Sequence, residues 1–370
     1  MIITRTPYRI SFFGGGTDYP GWYLKNGGEV LATTIDKYCY LTCRYLPPFF
    51  EHRIRIVYSK IENCSSVDEI QHPAVREGLR FLNIHRGVEI HHDGDLPARS
   101  GIGSSSSFVV GLLHALYSLE GRMIDKHRLA QESIYLEQQV MKETVGSQDQ
   151  VLATYGGLNR IVFPQGGDIS VIPITIDRSR VAELNAHMML FYTGIKRTAA
   201  HVAESYVNNI QSRGRQMSEF QRLVGDALSL LNGSSDIVFF GKLLHEAWCI
   251  KKSLSTHVTN ESVDDLYNRA LKLGAIGGKL LGAGGGGFML LFAPPDAQKK
   301  IIATFSNLIY VPFQFENAGS QVIFYDPRDN HPDLDEERRR NPINPFKELK
   351  MDSAAGDLVS AKRRDPSAEK

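Results

Sequence analysis

The chain has 370 residues, enough to bury a full core as one large domain or two of medium size, and we read it as two. Its 42 Lys+Arg balance 41 Asp+Glu, a formal charge of +1, so no overall field recommends nucleic acid or an anionic membrane as the main partner; a small ligand fits better. The opening residues carry no apolar stretch long enough for a signal peptide or a span, which predicts a cytoplasmic protein, monomer or homodimer, and Cys39, Cys43, Cys64 and Cys249 are spaced for neither a disulfide framework nor a zinc site.

Alternating apolar residues predict strands at Tyr8 to Phe13, Val30 to Arg44 and Arg53 to Tyr58. Between the first two stands Gly14-Gly15-Gly16-Thr17-Asp18, a loop nearly free of side chains that lets a ligand approach the backbone, with a carboxylate placed to accept hydrogen bonds. From Ser104 to Leu119 the apolar residues recur at helical spacing after a run of serines that can cap. A second helix is predicted from an N-cap at Asp125 to about Glu143, followed by a turn holding Gly146 and Asp149, and a strand pair after Gly156-Gly157. A strand at Ala186 to Tyr192 opens a second part, which continues with helices through Lys252 and from Asp264 to Leu273 and strands at Phe288 to Phe292 and Gln321 to Tyr325. The predicted organisation is α+β: residues 1–185, residues 186–326, and a charged, proline-punctuated tail at 327–370 expected to be poorly ordered or laid over the surface.

The strongest chemical signal is Leu96 to Ser107, L-P-A-R-S-G-I-G-S-S-S-S, leading directly into the apolar helix. Gly101 and Gly103 allow a tight backbone path, and Ser104 to Ser107 put hydroxyls and amides at a helix start, where the dipole favours a polyanion such as a triphosphate. An ordinary capped helix would explain a lone Gly-x-Gly-Ser; four consecutive serines, each competing for backbone hydrogen bonds, are better explained by chemistry. Other nucleotide motifs fail on inspection. Gly277-Gly278-Lys279 is followed by Leu280 and lacks the first glycine of a P-loop, and Gly282 to Gly287 satisfies G-x-G-x-x-G but precedes a strand. That third glycine cluster costs conformational entropy, so close approach of a ligand or of backbone is its expected purpose.

Two carboxylates stand out. Glu137 shares a helical stripe with Ala130, Ile134 and Met141, an apolar face where an unpaired charge is costly. Asp149 follows twelve residues later. A capping or salt-bridged acid is the plain alternative for each. A magnesium ion on nucleotide phosphates would supply the missing positive charge, with Glu137 and a loop serine as its protein ligands.

The motifs R-T-P-Y-R-I-S-F-F-G-G-G-T-D-Y, P-x-x-x-G-I-G-S-S-S-S and K-L-L-G-A-G-G-G-G-F, in that order, resemble the GHMP kinase superfamily over about residues 1 to 326. The resemblance implies an N-terminal domain like domain 2 of ribosomal protein S5, a C-terminal ferredoxin-like domain, and an ATP-dependent transfer of phosphate to a hydroxyl between them. By position it implies that Pro97 and Gly101, Ile102, Gly103, Ser104, Ser105, Ser106 and Ser107 hold ATP, that Ser105 and Glu137 hold Mg²⁺, and that Asp149 orients or deprotonates the acceptor, paired with Arg9. It places Gly15, Gly16, Thr17 and Asp18 at the sugar; a galactokinase has G-E-H-T-D there, and the glycines of this chain argue against galactose. Within the superfamily, Q-D-Q-V-L-A-T-Y-G-G-L-N and Y-T-G-I-K-R-T-A are similar to D-glycero-D-manno-heptose 7-phosphate kinases, implying phosphorylation of an anomeric hydroxyl to a 1,7-bisphosphate for GDP-heptose and surface glycans. Gly284 and Gly285 are expected near the substrate, and Lys196, Arg197, Lys251 and Lys252 form an expected exposed cluster for the remote phosphate. Another sugar 1-kinase, such as a fucokinase, and a non-catalytic sensor of sugar or nucleotide are the alternatives.

Overall fold

The apolar alternation of the first forty-five residues becomes a long antiparallel pair, β1 (Ile2–Phe13) and β2 (Gly28–Tyr45), in the computed structural model, which describes residues 1–47, 50–98, 100–195, 199–326 and 328. Their register runs from Ile2 opposite Cys43 to Phe13 opposite Leu31, with irregularities between Pro7 and Tyr8 and between Ser11 and Phe13. Such bulges bend a strand and re-aim its side chains, and Arg9 and Ser11 lie on the short stretch between the two.

Around this pair a nine-stranded sheet assembles. Beyond the linking helix α1 (Pro20–Asn26), one half of β2 pairs with β5 (Val88–Gly94), which runs parallel to β3 (Ile54–Val57) and so brings in β4 (Ile61–Cys64). The other half of β2 pairs with β6 (Asn159–Phe163), itself paired with β7 (Ser170–Pro173). Helix α2 (Pro73–Phe81) precedes β5, and α6 (Arg178–Ala186) follows β7. A second, four-stranded antiparallel sheet contains β8 (Met188–Tyr192), β9 (Gly277–Leu280), β10 (Phe288–Phe292) and β11 (Ile309–Val311) in the order β11-β8-β10-β9. Helices α7 (Ala199–Val207), α8 (Gly214–Asn232), α9 (Val238–Lys252) and α10 (Glu261–Lys272) separate β8 from β9, and α11 (Pro295–Thr304) separates β10 from β11. Strand, helices, two strands, helix and strand in that order give the ferredoxin-like arrangement.

The chain then turns back. Strands β12 (Phe315–Glu316) and β13 (Gln321–Tyr325) pair with β2 and β1, so the part expected to span 186–326 keeps its own sheet only as far as β11. Ser320 anchors the return: its hydroxyl lies 2.9 Å from that of Thr6 and 3.0 Å from Nδ1 of His114, inside the first sheet and its helix.

Helix α3 (Ser104–Leu119) has the bounds its periodicity predicts, and it is apolar nearly all round because it is covered on every side. It lies on β1 and β2, where the hydroxyl of Thr4 donates to the Gly111 carbonyl at 3.0 Å, and its other faces meet α2, α4 (Lys126–Tyr135) and α5 (Gln148–Tyr155). The second helix expected over 125–143 forms with one change of geometry, α4 passing without a break into a wider coil over Leu136–Val140. Asp125 caps α4, accepting from Arg128 N at 2.9 Å, and the coil stops where Lys142 adopts φ 57°, which no right-handed helix continues. Asp149, expected in a turn, stands in the first turn of α5.

Aromatic side chains join the two sheets. Phe240 of α9 packs edge-on against Phe12 and Phe13 at the end of β1, with ring centroids 5.5 and 5.1 Å apart, and lies 6.1 Å from Phe292 of β10. Cys39, Cys43 and Cys64 are buried free thiols and Cys249 is an exposed one. No helix among the described residues is long and apolar enough to cross a membrane. The expected tail lies outside the described residues apart from Arg328, whose guanidinium meets Asp326 at 2.7 Å.

Gly156 closes α5 at φ 70°, and a Cβ there would stand 2.1 Å from the carbonyl carbon of Ala318 on the returning segment. Gly156→Ala is expected to lower stability by at least about 2 kcal/mol, read as a lower urea midpoint at unchanged slope. An unchanged midpoint would show that the returning segment is not held against α5.

Candidate active site

Arg9 and Asp149, 140 positions apart, meet as a bidentate pair: Nε donates to Oδ1 at 2.6 Å and Nη2 to Oδ2 at 2.7 Å. The third guanidinium nitrogen, Nη1, donates to the Gly101 carbonyl at 2.7 Å, and the Arg9 amide donates to the Ile102 carbonyl at 3.1 Å. One side chain therefore ties β1 to the start of α5 and to the glycine-serine loop. Arg9 is 5% exposed and Asp149 21%, so the pair is sealed on the cation's side and open on the carboxylate's. Gly103, left-handed at φ 75°, passes over it; a Cβ there would lie 3.1 Å from Arg9 Cγ and 3.3 Å from Asp149 Oδ2.

Gly103 is also the residue from which α3 begins, so the open end of the helix and its dipole face the same space. The four serines do not act alike. Ser105 is exposed and Ser104 half-buried, whereas Ser106 and Ser107 turn inward, the hydroxyl of Ser107 donating to the Pro7 carbonyl at 2.9 Å. Pro97, exposed, supports the loop from behind by accepting from the Ser100 hydroxyl at 2.6 Å, and Ile102 is fully buried.

Glu137 lies beneath Ser105. It is fully buried, accepts from the Ser105 hydroxyl at 3.2 Å and from the Gln150 side-chain amide, and burial pushes its pKa up to about 7, helped by nearby Asp149 and opposed by the serine and glutamine bonds. A buried carboxylate beside an exposed hydroxyl, with no cation bonded to it, is a hard oxygen donor set that suits a divalent ion such as Mg²⁺. Among the described residues no three His, Cys, Asp or Glu side chains gather to hold a metal, so an ion at Glu137 would complete its shell with ligand or water oxygens.

Asp18 approaches Asp149 from the other side. Its Oδ1 accepts from the Gly16 amide at 2.9 Å and its Oδ2 from the Gln148 amide at 3.3 Å. Burial pushes its pKa up to about 6, against those bonds and with Asp149 adding to the rise. Gly146 makes room for it: a Cβ there would fall 1.9 Å from Asp18 Oδ2. Thr17 is fully buried and braces the turn, its hydroxyl 2.8 Å from the Gly14 carbonyl, while Gly15 remains partly open between Ser11 and Gln148.

The third glycine cluster serves chain packing. Gly284 and Gly285, expected at the substrate, are buried against Val258, whose carbonyl accepts from the Gly285 amide at 2.8 Å. Gly282 instead faces the loop, with room for its Cβ blocked by Gly101 Cα at 2.6 Å. Of the expected cluster of exposed cations, Lys196 and Arg197 lie outside the described residues, Lys252 pairs with Asp264 at 3.3 Å, and Lys251 is buried instead of exposed, donating to the Leu280 and Gly282 carbonyls. Burial and the nearby Lys279 and Arg9 charges push Lys251 well below the usual lysine range.

Lys279 itself escapes sequence reading. It is buried, donates to the Phe12 carbonyl at 2.9 Å across the two sheets, and burial with the Arg9 charge brings its pKa down to about 7, opposed by Asp18. A lone lysine in the apolar stretch before the third glycine cluster was the available signal. Ser11, Gln148 and Gln150 carry none. A separate cavity of about 480 Å³, lined by Arg53, Asp68, Arg80 and Arg86, has cations already engaged, Arg80 by Asp68 and Glu77.

Residues 70–157 match the family model of the GHMP kinases N terminal domain and residues 208–310 that of the GHMP kinases C terminal. The chain is 28% identical over 312 residues to a D-glycero-alpha-D-manno-heptose 7-phosphate kinase of Campylobacter jejuni, covering 81% of this chain and 92% of that protein. It is 27% identical over 321 residues to a bifunctional fucokinase/GDP-fucose pyrophosphorylase of Arabidopsis thaliana, covering 79% of this chain but 30% of that protein. The fold is shared with a crystal structure of a D-glycero-D-manno-heptose 1-phosphate kinase from Bacteroides thetaiotaomicron, at a TM-score of 0.71 and 23% identity over 88% of this chain and 100% of that one.

A carboxylate whose pKa rises on folding from its ordinary value to about 7 takes up protons in the folded state. Its neutral form is then favoured, so stability is fullest below the unfolded pKa and is lost as pH rises toward 7. Glu137→Gln removes that loss, so the ligand-free variant is expected to melt higher than the wild type at about pH 8, by on the order of 3 kcal/mol of stability, with the gain less than half as large at about pH 5.5. A variant less stable than wild type at the higher pH would contradict this reading of Glu137.

Proposed function

The chain belongs to the GHMP kinases, and from that premise we propose that it transfers the γ-phosphate of ATP to the anomeric hydroxyl of D-glycero-D-manno-heptose 7-phosphate, giving the 1,7-bisphosphate. As a member it is a phosphotransferase with an alcohol group as acceptor, dependent on ATP. The observation that carries the proposal is the Arg9–Asp149 pair lying directly under the Gly101–Gly103 turn, because it sets a proton acceptor and a fixed positive charge at the mouth of a phosphate-binding helix start. The heptose phosphate acceptor is supported by the Campylobacter jejuni relative.

Phosphoryl transfer asks little covalent chemistry of the protein; alignment and neutralisation of charge supply the rate. The amides of the Gly101–Ser105 turn and the start of α3 hold the donor's phosphates. Asp149 accepts a hydrogen bond from the acceptor hydroxyl on its open side and takes the proton as the oxygen bonds to the γ-phosphorus and the bond to ADP breaks. Arg9 keeps that carboxylate aimed, and its charge offsets the negative charge developing beside it. Asp18, fixed by the Gly16 and Gln148 amides, binds sugar hydroxyls. Glu137 and Ser105 would hold Mg²⁺, which when bound neutralises phosphate charge. Residues 1–185 form the nucleotide-holding part in this scheme, with 186–326 closing the site through Lys251, Lys279 and the Gly282 turn. The place of action is the cytoplasm.

ADP release should be measured against a panel of sugars and sugar phosphates. Turnover with heptose 7-phosphate and product phosphorylated at the anomeric position is expected; turnover confined to fucose or a related free sugar would move the assignment to another sugar 1-kinase, and turnover with none would favour a sensor. Asp149→Asn is expected to lower kcat by roughly 10²–10⁴-fold with the KM for ATP little changed, and normal turnover would remove Asp149 from the chemistry.

A further inference from the structure

We infer that Ser11 and Gln148 form a neutral subsite across Gly15 that reads a hydroxyl of the acceptor next to the one Asp149 addresses; the inference rests on the sugar-kinase reading. Ser11 is 7% exposed and Gln148 9%, yet Ser11 Oγ and Gln148 Oε1 are buried atoms with no hydrogen-bond partner among the described residues. Nearly all such groups in folded proteins are paired, and those left open ask for something else to fill them.

The Ser11 hydroxyl and the nitrogen of the Gln148 side-chain amide, whose oxygen is the unpartnered atom, border one gap. A Cβ built at Gly15 would lie 3.3 Å from Ser11 Oγ and 3.5 Å from Gln148 Nε2. Gly15 is absent from the glycines of positive φ, unlike Gly14 and Gly16 on either side. Its backbone does not require glycine; what the position contributes is the missing side chain. The gap opens outward, since Gly15 is only partly buried.

Its surroundings place it at the acceptor. Ser11 is two residues along β1 from Arg9, on the same face of the strand. Gln148 precedes Asp149 in α5, and its own amide holds Asp18. The lining is a hydroxyl, which donates and accepts, and an amide, which offers an acceptor and donors. With the Asp18 and Asp149 carboxylates beside it, such a lining suits an uncharged hydroxyl and repels phosphate or carboxylate.

The test uses the full chain and the sugar that the wild type phosphorylates. Ser11→Ala and Gln148→Met remove the polar ends, and Gly15→Ala puts a methyl group into the gap, 3.3 Å from Ser11 Oγ, at a backbone conformation that does not require glycine. Each is expected to raise the KM for the sugar about tenfold, the scale of one buried hydrogen bond, while the KM for ATP stays within about twofold and the melting temperature holds. Among monodeoxy analogues of the sugar, one should be a poor substrate for the wild type and no worse for Ser11→Ala or Gln148→Met, because the bond is already gone.

Three variants with wild-type sugar KM would overturn the inference and show that water alone fills the gap. Equal rises in both KM values would overturn it too, by showing a general disturbance. Where Ser11→Ala or Gln148→Met fails to fold, Gly15→Ala alone decides. A wild type that phosphorylates no sugar sinks the proposed function and this subsite with it; a wild type that does, with indifferent variants, sinks only the subsite.

Discussion

The guanidinium of Arg9 is where three separate segments become one site. It spends two nitrogens on Asp149 and one on the Gly101 carbonyl, so the first strand, the start of α5 and the glycine-serine turn cannot move apart without breaking it. A buried ion pair is weak evidence for stability, because desolvation offsets much of the attraction. Its geometry argues for positioning instead: a planar bidentate fork fixes the orientation of a carboxylate better than a lysine would. The glycines serve the same end: a Cβ at Gly101 or Gly282 would collide with the facing backbone, and one at Gly103, where φ is 75°, would crowd the pair at 3.1 and 3.3 Å.

Around this fixed pair the remaining ionisable groups are held against their preferences. Burial raises Glu137 and Asp18 toward neutrality and lowers Lys251 and Lys279 in the same direction. Acids and bases are pushed in opposite senses by one cause, burial, which disfavours the charged form of each. Perturbed groups of this kind gather where function needs them, and here they lie on both sides of the junction between the two sheets, with Lys279 reaching from β9 to the Phe12 carbonyl.

Local chemistry made much of this legible before any coordinates. The bounds of α3 and β10 follow from periodicity and capping alone, and the grouping of Arg9, Asp149, Glu137 and Ser105 is what the resemblance to the GHMP kinases implies. What periodicity could not supply is tertiary. The Glu137 stripe predicts a helix to about Glu143, and the positive φ of Lys142 ends it close to there; the widened coil over Leu136–Val140 and the helix that Asp149 joins left no mark in the periodicity. Four serines looked alike until packing turned Ser106 and Ser107 inward. Gln321–Tyr325 was recognisable as a strand, but its partner lies over three hundred residues away, and only the fold could assign it to β1.

The central claim is that a carboxylate and a guanidinium act as one unit at the mouth of the phosphate loop. A double-mutant cycle on kcat, combining Arg9→Gln with Asp149→Asn, tests it most directly. If the pair is a unit, each single change removes most of the rate and the double variant is scarcely slower than the worse single one. Losses that multiply, each change independent of the other, would contradict the account.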